Sequence, residues 1–303
     1  MLAFVLVVAQ ASDGPGPVAA AALRPLPCAE GGSQRGNVWE RAKSPELRRY
    51  CDLLASASSK LVGSSPSPAA ALDAAKEAET IVAGSGAALV LEGRALAALG
   101  HLPEALATFE EVRARDPRAF DEPLPLLSLA RVLAATGHPA DAARTYRTLL
   151  PRSSGLSAAD RAAIATEAGL SVMQLGADAI DEAIADLREA LRVAQGDGEK
   201  LVVLALALAL DRSGQGAEAR ALLAERARGE PRATVAAWSR KAAVALAPGE
   251  AEALVALALE GADDAAAREA WKASGDASSP GPWTSYAHDR LAARPAGSPR
   301  KPR

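Results

Sequence analysis

Apolar residues recur along this chain in short blocks at helical spacing, and the blocks are closed by glycine. From Ala87 to Pro117 the run AALVLEGRALAALGHLPEALATFEEVRARDP places its apolar positions on one face either side of Gly100, which predicts two short helices joined by a tight turn. A pair this small cannot bury its apolar face alone and must stack on similar pairs. Three follow. The run FDEPLPLLSLARVLAATGHPADAARTYRTLL turns at Gly137, a third unit from about Ala158 to Gln195 turns at Gly176, and a fourth from Glu199 to Pro231 turns at Gly214. These glycines are separated by 37, 39 and 38 residues, the regularity of an internal repeat.

The flanks are less regular. From Asn37 to Val62 the residues Trp39, Leu47, Tyr50, Leu53 and Leu54 fit a helix, with Ser44-Pro45 as its start signal. GSSPSP at 63–68 breaks that pattern before an Ala-rich helix over 69–83, which would cap the array. Beyond the fourth unit a helix over about 232–246 precedes a degenerate fifth pair, with Gly261 at its turn and Trp271 as its bulky core residue. Trp283 to Arg294 reads as a short capping helix, and PAGSPRKPR as a solvated tail whose Arg300, Lys301 and Arg303 would otherwise meet an acidic surface.

The opening unit resembles the tetratricopeptide repeat (TPR), a two-helix unit of about 34 residues, in a divergent, bacterial-type form. Gly93 stands at the crossing of the two helices, Gly100 at the turn, Ala105 at the second close contact, Phe109 as the plug and Pro117 at the link to the next unit. Equivalent positions are Ala130, Gly137, Ala142 and Tyr146; Gly169, Gly176, Ala183 and Leu187 after a two-residue insertion; and Ala207, Gly214, Ala219 and Leu223. Leu89 and Leu96 replace the family's usual Trp and Tyr. The fold class this implies is all-α, a TPR-like α-solenoid of antiparallel helix pairs with four clear repeats and degenerate flanking helices. Its parts are a candidate signal segment at 1–22, an N-terminal region at 23–66, the array at 67–275 (repeats about 86–118, 122–154, 158–197 and 199–231, degenerate 232–275) and a cap with tail at 276–303.

In this family the first helix of each unit lines a concave face, so ligand-facing residues follow from helical phase. They are Val90, Arg94 and Ala97; Leu127, Arg131 and Ala134; Thr166, Leu170 and Met173; and Leu204, Leu208 and Asp211. This set describes an apolar trough with two basic steps, suited to an extended or helical peptide that has an apolar stripe and an acidic residue. The other reading of the arginines is local pairing with glutamates. The family's chaperone-tail clamp is not supported, because Arg94, Arg131 and Leu170 stand where its key Asn would be.

Composition narrows the chemistry. The chain has 303 residues, a net charge of −3 and 3% aromatics, and its mixed charges lack the basic stripe of a nucleic-acid binder. The apolar run LVVLALALAL at 201–210 is far shorter than the about 20 residues that span a bilayer, so it reads as a buried helix. No nucleophile motif or phosphate loop is present, and His101 and His138, one repeat apart, read as turn residues; no cofactor or metal is expected. MLAFVLVVAQA resembles the end of an export signal, cleaved either after Ala11 or in the small-residue run 18–22, although no Lys or Arg precedes it. A plain apolar N-terminus is the competing reading. Cys28 and Cys51 would pair in an oxidising compartment and stay thiols in a reducing one. The expected function is thus a non-catalytic scaffold or adaptor for a protein or peptide partner in the cell envelope; the alternative is a cytoplasmic regulatory or assembly subunit of an enzyme complex.

Overall fold

The computed structural model describes residues 28, 45–62, 65–227, 229–241, 246, 249–277 and 281–293. The candidate signal segment, Trp39 and the basic tail lie outside these residues. All regular elements among them are helical: α1 Pro45–Val62, α2 Pro68–Ile81, α3 Gly86–Ala98, α4 Leu102–Arg115, α5 Pro123–Ala135, α6 Pro139–Leu149, α7 Ala158–Met173, α8 Ile180–Val193, α9 Asp197–Arg212, α10 Gly216–Arg226, α11 Pro231–Lys241, α12 Glu250–Leu259, α13 Asp264–Gly275 and α14 Thr284–Ala292. The chain divides into two compact units, residues 1–137 with 240–243, and 138–239 with 244–303. The division falls inside the second repeat, at its turn glycine.

Local chemistry sets the helix ends. Proline opens α1, α2, α5, α6 and α11, where its missing N–H would be unpaired in any case and its fixed φ suits the first turn. Ser85 and Ser157 accept from the backbone N–H of Ala88 and Asp160, and Asp263 from that of Ala266, capping α3, α7 and α13. At Gly100 (φ +82°) the chain turns left-handed, the His101 N–H donates to the Leu96 carbonyl at 3.0 Å and the Gly100 N–H to that of Ala97 at 3.0 Å. This is a Schellman closure, and it needs a residue without a Cβ. Gly214 repeats it, with the Gln215 N–H on the Leu210 carbonyl at 2.8 Å.

In the first unit α1, α2 and α3 pack in succession, followed by α4 and α5. The α1–α2 contact is alanine-rich: Ala57, Ala71, Ala75 and Ala78 are fully buried with Tyr50, Leu54 and Leu61, so the backbones approach closely. Cys28 is buried in the same cluster and is disulfide-bonded to Cys51 on α1. A bridge closing a loop of this length stabilises by about 3 kcal/mol through the unfolded chain. In the first repeat α3 crosses α4 at Gly93, where a Cβ would lie 3.0 Å from Phe109 Cε1. Phe109 is fully buried and tilts against Phe120, at 6.3 Å between centroids, from the 3₁₀ turn Pro117–Phe120 that links to α5. Leu89 and Leu96 are buried too, so the family aromatics they replace are substituted by core aliphatics.

In the second unit α6 packs on α7, α7 on α8, α8 on α9 and α9 on α10. The α7–α8 crossing is tighter than the first: a Cβ on Gly169 would stand 2.6 Å from Leu187 Cγ. The two-residue insertion of this repeat becomes the 3₁₀ turn Ala177–Ala179 ahead of α8. Tyr146 on α6 is fully buried, and its hydroxyl donates to Glu167 Oε2 on α7 at 2.9 Å, satisfying a polar group that a phenylalanine plug would lack. Every residue of 201–211 in α9 is buried, as befits a helix apolar on all sides. The fifth pair stacks as a repeat, since α12 packs directly on α9 and α13 on α12. Gly261 lies 47 residues after Gly214, and α11 occupies the surplus. Among the described residues no helix is long and apolar enough to cross a membrane.

Two outcomes test this packing. Phe109→Ala should lower unfolding free energy by about 3–5 kcal/mol in denaturant titration, and a loss within error would contradict the register. Asp186 on α8 is half-buried, and its carboxyl is pushed up to about 6 by burial first and by the Glu182 carboxylate second, against the pull of Arg147. A raised acid favours the fold below its unfolded pKa and loses that contribution as pH rises through about 6. Asp186→Asn should therefore raise the thermal midpoint at pH 7.5, with the gain fading as pH falls toward 4.

Candidate functional site

The expected ligand-facing positions have different fates in the two units. In the first, α3 and α5 place Arg94, Ala97, Leu127 and Arg131 in half-buried positions, with Val90 fully covered beneath them. One guanidinium nitrogen of Arg94, Nη1, is sealed from solvent and has no hydrogen-bond acceptor. Burial, and after it the positive charge of Arg131, pulls the Arg94 pKa down to about 10. A half-buried guanidinium beside another cation, with one sealed donor unmet, is an electrostatic deficit. A carboxylate removes it, because the planar fork of donors matches two oxygens.

In the second unit Leu170, Met173, Leu204 and Leu208 are all buried in one apolar core, so they line the interior rather than an open trough. The reason is tertiary. The first helices α7, α9 and α12 lie side by side, and Trp283, Tyr286 and Leu291 of the C-terminal segment pack against the same cluster.

That segment is also held by polar bonds. Trp283 Nε1 donates to the Met173 carbonyl at 2.6 Å, at the last residue of α7. The Tyr286 hydroxyl donates to Asp211 Oδ2 of α9. Burial, then the hydrogen bond to Asp211 and its charge, push the Tyr286 phenol up, so it is a donor at all ordinary pH. Arg290 bonds Glu260, the residue that caps α12, and stands 3.4 Å from Asp211 Oδ2. Glu260 also accepts from Trp271 Nε1 at 2.8 Å. Beneath Trp283, Arg212 lies 4.5 Å from the ring centre and pairs with Glu250 through two bonds of 2.6 and 2.9 Å. This buried pair shares two hydrogen bonds, while Arg212 Nε has no acceptor.

Trp283, Tyr286 and Arg290 were not singled out in the sequence for this role. Their one signal is spacing, i, i+3 and i+7 after a Gly-Pro break. Asp211 falls on the phase expected to face a ligand; Arg212, Glu250 and Glu260 carry no signal in the sequence. His101 and His138 occupy the N-cap positions of α4 and α6. Among the described residues no group of His, Cys, Asp or Glu has the clustering to hold a metal ion.

A family profile described as tetratricopeptide repeat matches residues 86–111, 123–148 and 201–225. These segments hold α3 with α4, α5 with α6, and α9 with α10. With the glycine crossing at Gly93 and the left-handed turns described above, these segments are tetratricopeptide repeats. The α7/α8 pair lies between matched segments and has a glycine crossing at Gly169 and a positive-φ glycine at Gly176, with the 3₁₀ turn Ala177–Ala179 inserted before α8. No curated protein matches the sequence.

Arg94→Met should raise the unfolding midpoint in thermal denaturation, since it removes a half-buried cation whose sealed Nη1 lacks an acceptor and keeps an apolar stem. An equal or lower midpoint would mean that the guanidinium is compensated in the fold.

Proposed function

We propose that this protein is a non-catalytic scaffold whose first unit grips an acidic segment of a protein partner between α3 and α5. TPR units commonly hold partners on their first helices. The observation that carries the finer reading is the buried, acceptor-less Nη1 of Arg94 beside Arg131 at the matched position one repeat on. Two positive steps flanked by Ala97 and Leu127 suit a peptide with one or two carboxylates and an apolar stripe. The partner class is thus an acidic protein segment, not nucleic acid.

The compartment we infer is the cell envelope or another oxidising space. Its support is the Cys28–Cys51 bridge, which a reducing cytosol would not maintain, together with the apolar N-terminal run. Under the alternative, a cytoplasmic regulatory or assembly subunit, both cysteines would be thiols.

One preparation tests both. After crosslinking in native cells, partners captured by the wild-type chain should be lost, by about tenfold or more, from the Arg94→Glu/Arg131→Glu variant. Unchanged capture dismisses the groove. Peptides from the same preparation, digested without reductant, should show the Cys28–Cys51 link; free thiols would move the protein to the cytoplasm.

A further inference from the structure

The second unit already contains a bound helix, its own. A nine-residue helix has too few internal hydrogen bonds to persist alone in water, so α14 is helical because of what it docks on. Its three anchors fall on one face at i, i+3 and i+7. Each reaches the end of a different first helix: Trp283 the α7 carbonyl terminus, Tyr286 the Asp211 carboxylate of α9, and Arg290 the Glu260 carboxylate beyond α12. The helix therefore crosses the ends of three successive repeats. It also packs on α13, where His288 lies against Gly275.

The surface beneath has a defined chemistry. Asp211 is buried on a first helix, and the side-chain partners of its carboxylate among the described residues are Tyr286 and Arg290, both on α14. With α14 gone, that carboxylate would lose its donors while still lying beside the apolar core. The Arg212–Glu250 pair would offer the flat guanidinium face that now lies under an indole. Such a surface selects an indole N–H donor at one end, a phenol donor in the middle and a cation at the other.

We infer that the ends of α7, α9 and α12 form a helix-binding site that reads a Trp-x₂-Tyr-x₃-Arg face, that α14 is its intramolecular occupant, and that a partner protein's helix with this aromatic and basic face enters by displacing α14. The occupant is inverse in charge to the acidic segment proposed for Arg94 and Arg131. The site uses neither arginine, so the two readings fail separately.

The test uses the intact chain and a fluorescein-labelled peptide of residues 281–293. A chain carrying Tyr286→Phe and Arg290→Gln holds its own helix less well. It should bind the wild-type peptide at least about tenfold tighter than the wild-type chain does, by fluorescence anisotropy. Peptides with Trp283→Ala or Arg290→Glu should lose at least about tenfold on that same chain. Equal binding by the two chains, with unchanged circular dichroism, overturns the proposal. A variant chain that dimerises in sedimentation and refuses the peptide also overturns it, since the occupant would then be the α14 of a second copy.

Should the double variant fail to fold, a protease site replacing Ser278–Pro280 in the otherwise wild-type chain gives the answer. After cleavage, exchange of the 281–303 fragment for the labelled peptide with the remainder still helical supports the proposal. A fragment that does not exchange, or unfolding when it leaves, makes α14 a fixed part of the core and overturns it.

Discussion

The structure depends on how closely two short helices approach where one of them lacks a side chain. At Gly93 the space a Cβ would take is filled by the Phe109 ring, and at Gly169 by the Leu187 side chain, with the Ala183 carbonyl also near. A first helix that met its partner at larger residues would stand farther off, and the bulky plug would leave a gap whose lining loses dispersion contacts. The crossing fixes the phase of each first helix, and phase decides which residues are left to face a ligand. Arg94 is one position beyond Gly93, so the residue that makes the crossing tight also fixes the direction of its neighbour.

Stacking then separates two fates for equivalent positions. In the second unit the first helices α7, α9 and α12 lie against one another with the C-terminal aromatic residues on the same cluster, so Leu170, Met173, Leu204 and Leu208 are core. In the first unit the matched positions on α3 and α5 hold arginines, and desolvation acts on a charge rather than on a methyl. Burial of an aliphatic stabilises the fold, whereas sealing one guanidinium nitrogen from any acceptor, as at Arg94 Nη1, opposes it. A residue that opposes folding without serving the core is a candidate for function. This is the physical ground for setting Arg94 apart from its apolar neighbours.

In the second unit several buried charges are paired across helices, although Arg161, Arg212 and Arg290 each keep one sealed Nε without an acceptor. Arg212 with Glu250, Tyr146 with Glu167, and Arg290 between Asp211 and Glu260 are matched sets, each group finding a partner on another helix. Such pairs add little net free energy against apolar substitutes, but each is costly to break from one side. They act as register marks between helices whose apolar faces, rich in Ala and Leu, would tolerate sliding. The same property makes the site under α14 selective, because a misplaced helix would strand a buried carboxylate.

What the chain's own order of residues determined was everything of short range: the helix pairs, their turns and their repeat spacing. A left-handed glycine closes a helix by local hydrogen bonds, proline opens one by its own ring, and small and bulky residues at fixed offsets set the crossing. Gly100, Gly93 and Phe109 are therefore legible in the sequence, and so is the two-residue insertion after Gly176, which folds as the 3₁₀ turn Ala177–Ala179. Tertiary structure alone decided which side of each pair would be covered. The segment at Trp283 reads locally as a cap, and only its contacts with Met173, Asp211 and Glu260, as far as 110 residues away, make it an occupant of three repeats. Helical phase tells which way Arg94 and Leu208 point, but whether solvent, another helix or a ligand lies there depends on long-range packing, and no local pattern records that.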